Sequence, residues 1–256
     1  MPAHFKDRTG EERYNIQGYL MKIIKYTYSS DILVEFQDEN KAVINTIYDH
    51  FYNRNILNPY HRSLYGIGFL GTGIYRAKIN NKSTIQYKYW NGIMSRSYNE
   101  GYKIYSPSCV GSSVCEEWHN FQTFGKWVDN NIYSIGNETM CLDKDILVKN
   151  NKVYSPEHCV FVPKNINSLF GIKPRGIYPI GVSFESSSGK YLACICKFGS
   201  SRKIGRFKTP EDAFYAYKKE KESHIKYIAD EYKSKYPQFP QKLYDALYRY
   251  VVELTD

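Results

Sequence analysis

From Gly171 to Thr209 eight cations (Lys173, Arg175, Lys190, Lys197, Arg202, Lys203, Arg206 and Lys208) stand against the single acid Glu185. The acids that normally intersperse a solvated basic surface are missing, which favours a polyanionic partner for this stretch over a merely solvated basic face. Its apolar residues fall in three short runs, Gly181 to Glu185, Tyr191 to Lys197 and Lys203 to Phe207, split by Ser186–Lys190 and Gly199–Ser201. Short β-rich runs between turn residues predict three strands. Thr209-Pro-Glu-Asp212 then gives a helix start, with a hydroxyl to cap, proline at the first helical position and acids in the first turn. Phe214, Tyr217, Ile225, Ile228 and Tyr232 place one apolar stripe along the following helix, and Leu243, Leu247, Tyr250 and Leu254 do the same for a last helix from about Pro240. The expected module is a basic sheet braced from behind by an apolar helix face.

The preceding stretch has the opposite balance. Ser113 to Phe170 holds Glu116, Glu117, Asp129, Glu138, Asp143, Asp145 and Glu157 against five lysines, so binding and chemistry are expected in separate parts of the chain. Two prolines and three glycines between Gly171 and Gly181 mark a linker between them. Just before the acidic part Tyr87, Trp90 and Met94 fall at helical spacing, and within it Trp118, Phe121, Gly125 and Val128 predict a second helix from Cys115 to Asn130. Thr139 to Leu147 reads as a strand, Asn150-Asn151 as a turn, and Val153 to Pro163 as the returning strand. Lys164 to Phe170 begins a short helix.

Before residue 80, Met21–Tyr26 and Asp31–Phe36 read as strands, and glycines at 66, 68, 71 and 73 break the chain repeatedly. No apolar run reaches the roughly 18 residues that span a bilayer, and the polar stretch Met1 to Arg13 is unlike a signal peptide, so a cytoplasmic protein without a membrane partner is expected. Reduced thiols follow for the six cysteines. Cys109, Cys115, Cys141 and Cys159 contain no Cys-x-x-Cys pair, which argues against structural zinc and for buried strand cysteines.

A hairpin followed by a short helix is a ββα shape, and residues 87 to 170 resemble the phage and group-I-intron HNH, or His-Me finger, endonucleases. The resemblance rests on the Trp90, Met94 and Arg96 spacing, Cys115-Glu-Glu-Trp-His-Asn-Phe121, Leu142-Asp-Lys-Asp-Ile-Leu147, and Tyr154-Ser-Pro-Glu-His-Cys-Val-Phe-Val-Pro163 leading to Asn165-Ile-Asn167. It implies a single divalent ion, magnesium or manganese, acting on a phosphodiester. By position, Asp143 stands where the family has its general-base histidine, His158 at the loop-ordering asparagine and Asn167 at the metal-binding asparagine. Asp145, two residues on, joins Asp143 and Asn167 as a candidate metal ligand.

Aspartate is a much weaker base than histidine at neutral pH. Three roles are therefore open for Asp143: metal ligand beside another base, base with its pKa raised by burial, or member of a silent finger. His119 is a rival base, but its predicted helix favours a place on the outer face.

Residues Ile180 to Lys226 resemble the Apetala-type DNA-binding domain found behind many phage HNH nucleases. The matching residues are Ile180-Gly-Val-Ser183, Gly189-Lys-Tyr191, Ile204-Gly-Arg-Phe207 and the helix start at Thr209. In such domains the sheet enters the major groove. Lys190, Lys197, Arg202, Lys203 and Arg206 are the expected DNA contacts, with Arg202 or Arg206 reading guanine and the lysines on phosphate. Asp31–Phe36, Asn58-Pro-Tyr60 and Tyr65–Gly71 are similar to a segment that precedes HNH fingers in phage proteins.

The fold class that follows is α+β. A small antiparallel β module spans 1–80, a ββα finger domain with flanking helices 81–170, and a three-stranded sheet with helices 171–256. The first functional expectation is a metal-dependent, HNH-like homing or nicking endonuclease acting on double-stranded DNA. The second is a DNA-binding or phage–host interaction protein that keeps the scaffold without catalysis. An RNA-binding factor fits less well, because the aromatic residues lie on helix stripes and not in a stacking row on strands.

Overall fold

The computed structural model describes residues 6–171 and 176–254. Lys173 and Arg175 of the basic stretch lie outside the described residues. The architecture is α+β as expected, with helices beside several small sheets. Two compact units form, one running to Asn130 and including Val153–Ser155, the other comprising Asn131–Lys152 and Pro156 onward. These units do not follow the expected divisions at 80 and 170.

In the first unit, β1 (Glu12–Tyr14), β2 (Leu20–Tyr28), β3 (Asp31–Phe36) and β4 (Val43–Thr46) form a sheet in sequential order, all antiparallel. Strict alternation in β3 sends Ile32, Val34 and Phe36 into a core with Met21, Ile23 and Phe51. The helix α1 (Ile85–Tyr98) starts at Thr84, whose hydroxyl caps Tyr87 N, and it buries Trp90, Ile93 and Met94. Gly68 permits this packing, since a Cβ there would stand 2.8 Å from the Trp90 ring.

The helix predicted from Cys115 is split in two. Glu116–His119 is a 3₁₀ turn, and α2 begins at Phe121 and runs to Asn131. The break lets the Trp118 carbonyl accept the Trp90 indole N–H at 2.7 Å, a partner that a buried indole needs. His119 is not outward-facing. It is half-buried, with Nε2 bonded to the Val114 carbonyl at 3.1 Å.

The second unit contains the finger and the basic module together. β5 (Met140–Asp143) pairs antiparallel with β6 (Val160–Pro163), Asp143 opposite Val160 and Pro163 opposite Met140, and the short helix α3 (Lys164–Asn167) follows at once. The returning strand is shorter than expected. Residues 156–158 form a turn, and Val153–Tyr154 pairs in parallel with Ser113–Val114 in the first unit. Pro156 has no N–H to give a ladder, which ends the strand there.

β7 (Val182–Glu185), β8 (Lys190–Lys197) and β9 (Ser200–Phe207) form the three-stranded antiparallel sheet in that order. Behind it runs α4 (Pro210–Lys235), capped by Thr209 onto Asp212 N, and then α5 (Gln241–Arg249). Twenty-six residues make α4 about 39 Å long, enough to serve two cores. Its first half packs Phe214 and Tyr217 with Ile195 and Val252 beneath the sheet. Its second half packs Ile225 and Ala229 with Val160, Val162 and Ile166 of the finger and with Leu243 and Leu247 of α5. Two strands of four residues and one helical turn cannot bury a core alone, and α4 supplies the missing wall. This is why the finger and the sheet belong to one unit.

Candidate nucleic-acid interface and acid pair

The sheet has a covered side and an open side. Ala193 and Ile195 are buried toward α4, so Lys190, Leu192 and Cys194 alternate onto the other face. Register then assigns the neighbours. Glu185 lies opposite Lys190, Arg206 opposite Leu192 and Lys203 opposite Cys194. Lys190, Lys203 and Arg206, all exposed, therefore share the open face.

Two of the expected contacts fall elsewhere. Lys197 has the parity of Ile195 and Nζ makes a 2.6 Å ion pair with Glu220 of α4. It is a brace between sheet and helix. Arg202 lies opposite Ile195, which gives it the covered side of an edge strand, where it is exposed. An irregularity in register between Ala193 and Cys194 shifts parity along β9, so that Arg202 and Lys203 part company with the simple alternation of the sequence.

Arg206 is also not a free cation. Its Nε and Nη2 donate to the two carboxylate oxygens of Glu185, at 2.5 and 3.0 Å, across the middle strand. The guanidinium and the Ser188 hydroxyl hold the Glu185 pKa down to about 2. This bidentate pair fixes Arg206 in place, as an arginine fork on a carboxylate does, and leaves Nη1 for an outside acceptor.

The acids of the finger gather at a different place. β5 stops at Asp143, whose Oδ1 accepts the backbone N–H groups of Asp145 and Ile146 at 2.9 and 2.7 Å. The two aspartates are thus brought together by a turn, where a continuing strand would have put residues two apart on one face. Both line a cavity of about 120 Å³ with Lys149, Tyr217, Lys221 and Tyr250. Asp145 also pairs with Lys144 Nζ at 2.9 Å. Burial, and then the nearby charge of Asp145, push the Asp143 pKa up to about 6.

His158 and Asn167 do not line this cavity. His158 sits on the turn before β6, and Asn167 ends α3, which leaves from the end of the hairpin remote from Asp143. Of the expected metal set, only Asp143 and Asp145 meet. Magnesium is commonly held by one or two carboxylates completed by water and substrate phosphate, so the pair fits part of such a site. Among the described residues, no group of three or more His, Cys, Asp or Glu side chains is arranged to hold a metal ion.

The raised pKa has a thermodynamic consequence. A carboxyl that holds its proton more tightly folded than unfolded contributes stability that is complete below its ordinary value of 3.8 and is lost as pH rises through about 6. Asp143→Asn keeps an oxygen for the turn and removes the titration. Denaturant melts at a series of pH values should show a flatter stability profile between about pH 4 and 6 for the variant, with greater stability than the native chain at neutral pH. An unchanged profile would contradict the burial of Asp143.

No family model matches the chain, and neither a curated protein nor a solved structure matches it. Among the described residues no helix is long and apolar enough to cross a membrane.

Proposed function

We propose that the chain is a protein that binds double-stranded DNA through the open face of the β7–β9 sheet, on a scaffold of HNH type. One observation carries this reading: Lys190, Lys203 and Arg206 emerge together from a face that no described helix covers, while α4 braces the other side. Lysines on a rigid sheet neutralise phosphates and release counterions, and an arginine oriented by a carboxylate suits a base edge. Cytoplasm, where DNA is met without crossing a membrane, is the matching place of action.

Hydrolysis of the bound DNA is the second reading, and the Asp143–Asp145 pair favours it. A carboxyl with a raised pKa beside a second carboxylate is suited to accept a proton or to hold magnesium or manganese. The acid cavity, however, is walled by Tyr217 and Lys221 of α4, the helix on the covered side of the sheet. A duplex on the open face is therefore not delivered to the acids, and binding without cleavage is the stronger reading.

Purified protein mixed with supercoiled and linear duplex DNA, with and without magnesium or manganese, separates the two. Retarded but uncut DNA under every condition is the expected result. Nicking abolished by Asp143→Ala and by Asp145→Ala would establish the endonuclease instead, and failure to retard duplex at low salt would overturn both.

A further inference from the structure

The β8–β9 hairpin closes through the two residues Phe198 and Gly199, with Lys197 opposite Ser200. Their φ values are +52° and +75°. Two left-handed positions are what a tight hairpin turn of this kind requires, and asparagine or aspartate before glycine is the usual solution. Phenylalanine is a poor occupant of left-handed backbone. The residue is 65% exposed, and its ring touches His224 edge-to-face, centroids 5.0 Å apart, and Tyr227 at 6.0 Å. An exposed aromatic ring kept at a turn position that disfavours it points to a use for the side chain.

That ring stands at a second cavity, of about 580 Å³, within the second unit. Its size falls in the roughly 300–1,000 Å³ range of small-ligand sites. Phe198, Tyr227 and Tyr232 supply aromatic walls, and Lys221, His224 and Lys235 supply cationic or titratable nitrogen. Lys221 is half-buried, lines both this cavity and the one that holds Asp143 and Asp145, and pairs with neither aspartate, unlike its neighbour Lys218, which bonds Glu222 and the Val252 carbonyl. Removal from water weakens its hold on a proton, and an anion would restore what burial takes. Of the two acids at this cavity, Glu231 is exposed, and Glu138 accepts the Tyr232 hydroxyl on Oε1 at 2.6 Å while its Oε2 is buried with no hydrogen-bond partner among the described residues.

We infer that this cavity binds a nucleoside monophosphate unit, with the planar base against Phe198 and Tyr227 and the phosphate at Lys221. Aromatic faces accept any base by stacking, and a single desolvated lysine takes phosphate as a point charge. The unit has two sources, a free mononucleotide or an unpaired nucleotide at the end of a strand. Neither depends on duplex binding at the open face of the sheet.

The test is calorimetric titration with adenosine, guanosine, cytidine and thymidine monophosphates, a short single-stranded oligonucleotide, and inorganic phosphate alone. Phe198→Asn suits the turn while removing the ring, so it should melt at the same or a higher temperature and bind at least 10-fold more weakly. Lys221→Gln should lose affinity by a similar factor. Binding by the mononucleotides identifies the free ligand, and binding by the oligonucleotide alone identifies a strand end. The inference fails if phosphate alone binds as well as the nucleotides, if folded Phe198→Asn binds unchanged, or if neither nucleotide nor oligonucleotide binds at about 1 mM.

Discussion

Replacing Lys190 and Lys203 together by glutamate should weaken duplex binding by about 100-fold at moderate salt and lower the melting temperature by no more than about 5 degrees, the cost of setting a carboxylate opposite Glu185. Each lysine is exposed on the open face, and register gives Lys203 Cys194 as its cross-strand neighbour and Lys190 Glu185. Neither side chain contributes to the core, so surface substitution there costs little stability. Two charge reversals remove two phosphate contacts and add repulsion, and a loss spread evenly over all sequences is the signature of backbone contacts. Fluorescence anisotropy with two unrelated duplexes checks this. The parallel variant Lys197→Glu separates face from charge. Lys197 lies on the covered side and pairs with Glu220, so its reversal should lower stability more than affinity.

Ile225→Ala is expected to loosen the finger and the basic sheet together. Ile225 is fully buried in the core that α4 shares with Val160, Val162 and Ile166, and truncating such a residue costs about 2–5 kcal/mol. Eight and eleven residues earlier on the same helix, Tyr217 and Phe214 support Ile195 of the sheet. A rigid helix of about 39 Å couples the two ends. Hydrogen exchange should therefore speed up by a similar factor, about 100-fold for a loss near 3 kcal/mol, at the amides of both β6 and β8. Acceleration confined to β6 would show the finger to be a separate domain, as the boundary at 170 would have had it.

Much of the second unit was legible in the residues. The turn clusters around Ser186 and Gly199 bounded the three strands to within a few residues, because glycine and serine break strands for local reasons. Thr209-Pro210 located the start of α4, because capping is a matter of one hydroxyl and one N–H. What escaped was non-local. The stripe Phe214, Tyr217, Ile225, Ile228 and Tyr232 announced an apolar helix face, but not that its two halves serve different cores. The parity of Lys197 followed from Ile195 in principle, whereas that of Arg202 depended on an irregularity that no local pattern announces. Asn150-Asn151 has the composition of a hairpin turn, and Asn150 does adopt positive φ. Even so, the strand after it pairs with Ser113–Val114, which spacing cannot disclose. Asp143 and Asp145 were picked out as a pair for their separation of two. They meet because the Asp143 carboxylate draws the next turn around itself. The Phe198 turn is marked in the residues themselves by an aromatic where asparagine is usual.

The central claim is that the open side of the β7–β9 sheet grips the phosphates of a duplex. The slope of log affinity against log salt measures it most directly, for the native chain and for Lys190→Ala/Lys203→Ala. Each phosphate contact contributes about 0.9 to that slope, so the double variant should give a line shallower by about two. Two parallel lines would mean that these lysines do not touch DNA and that the positive charge of the chain meets its partner elsewhere.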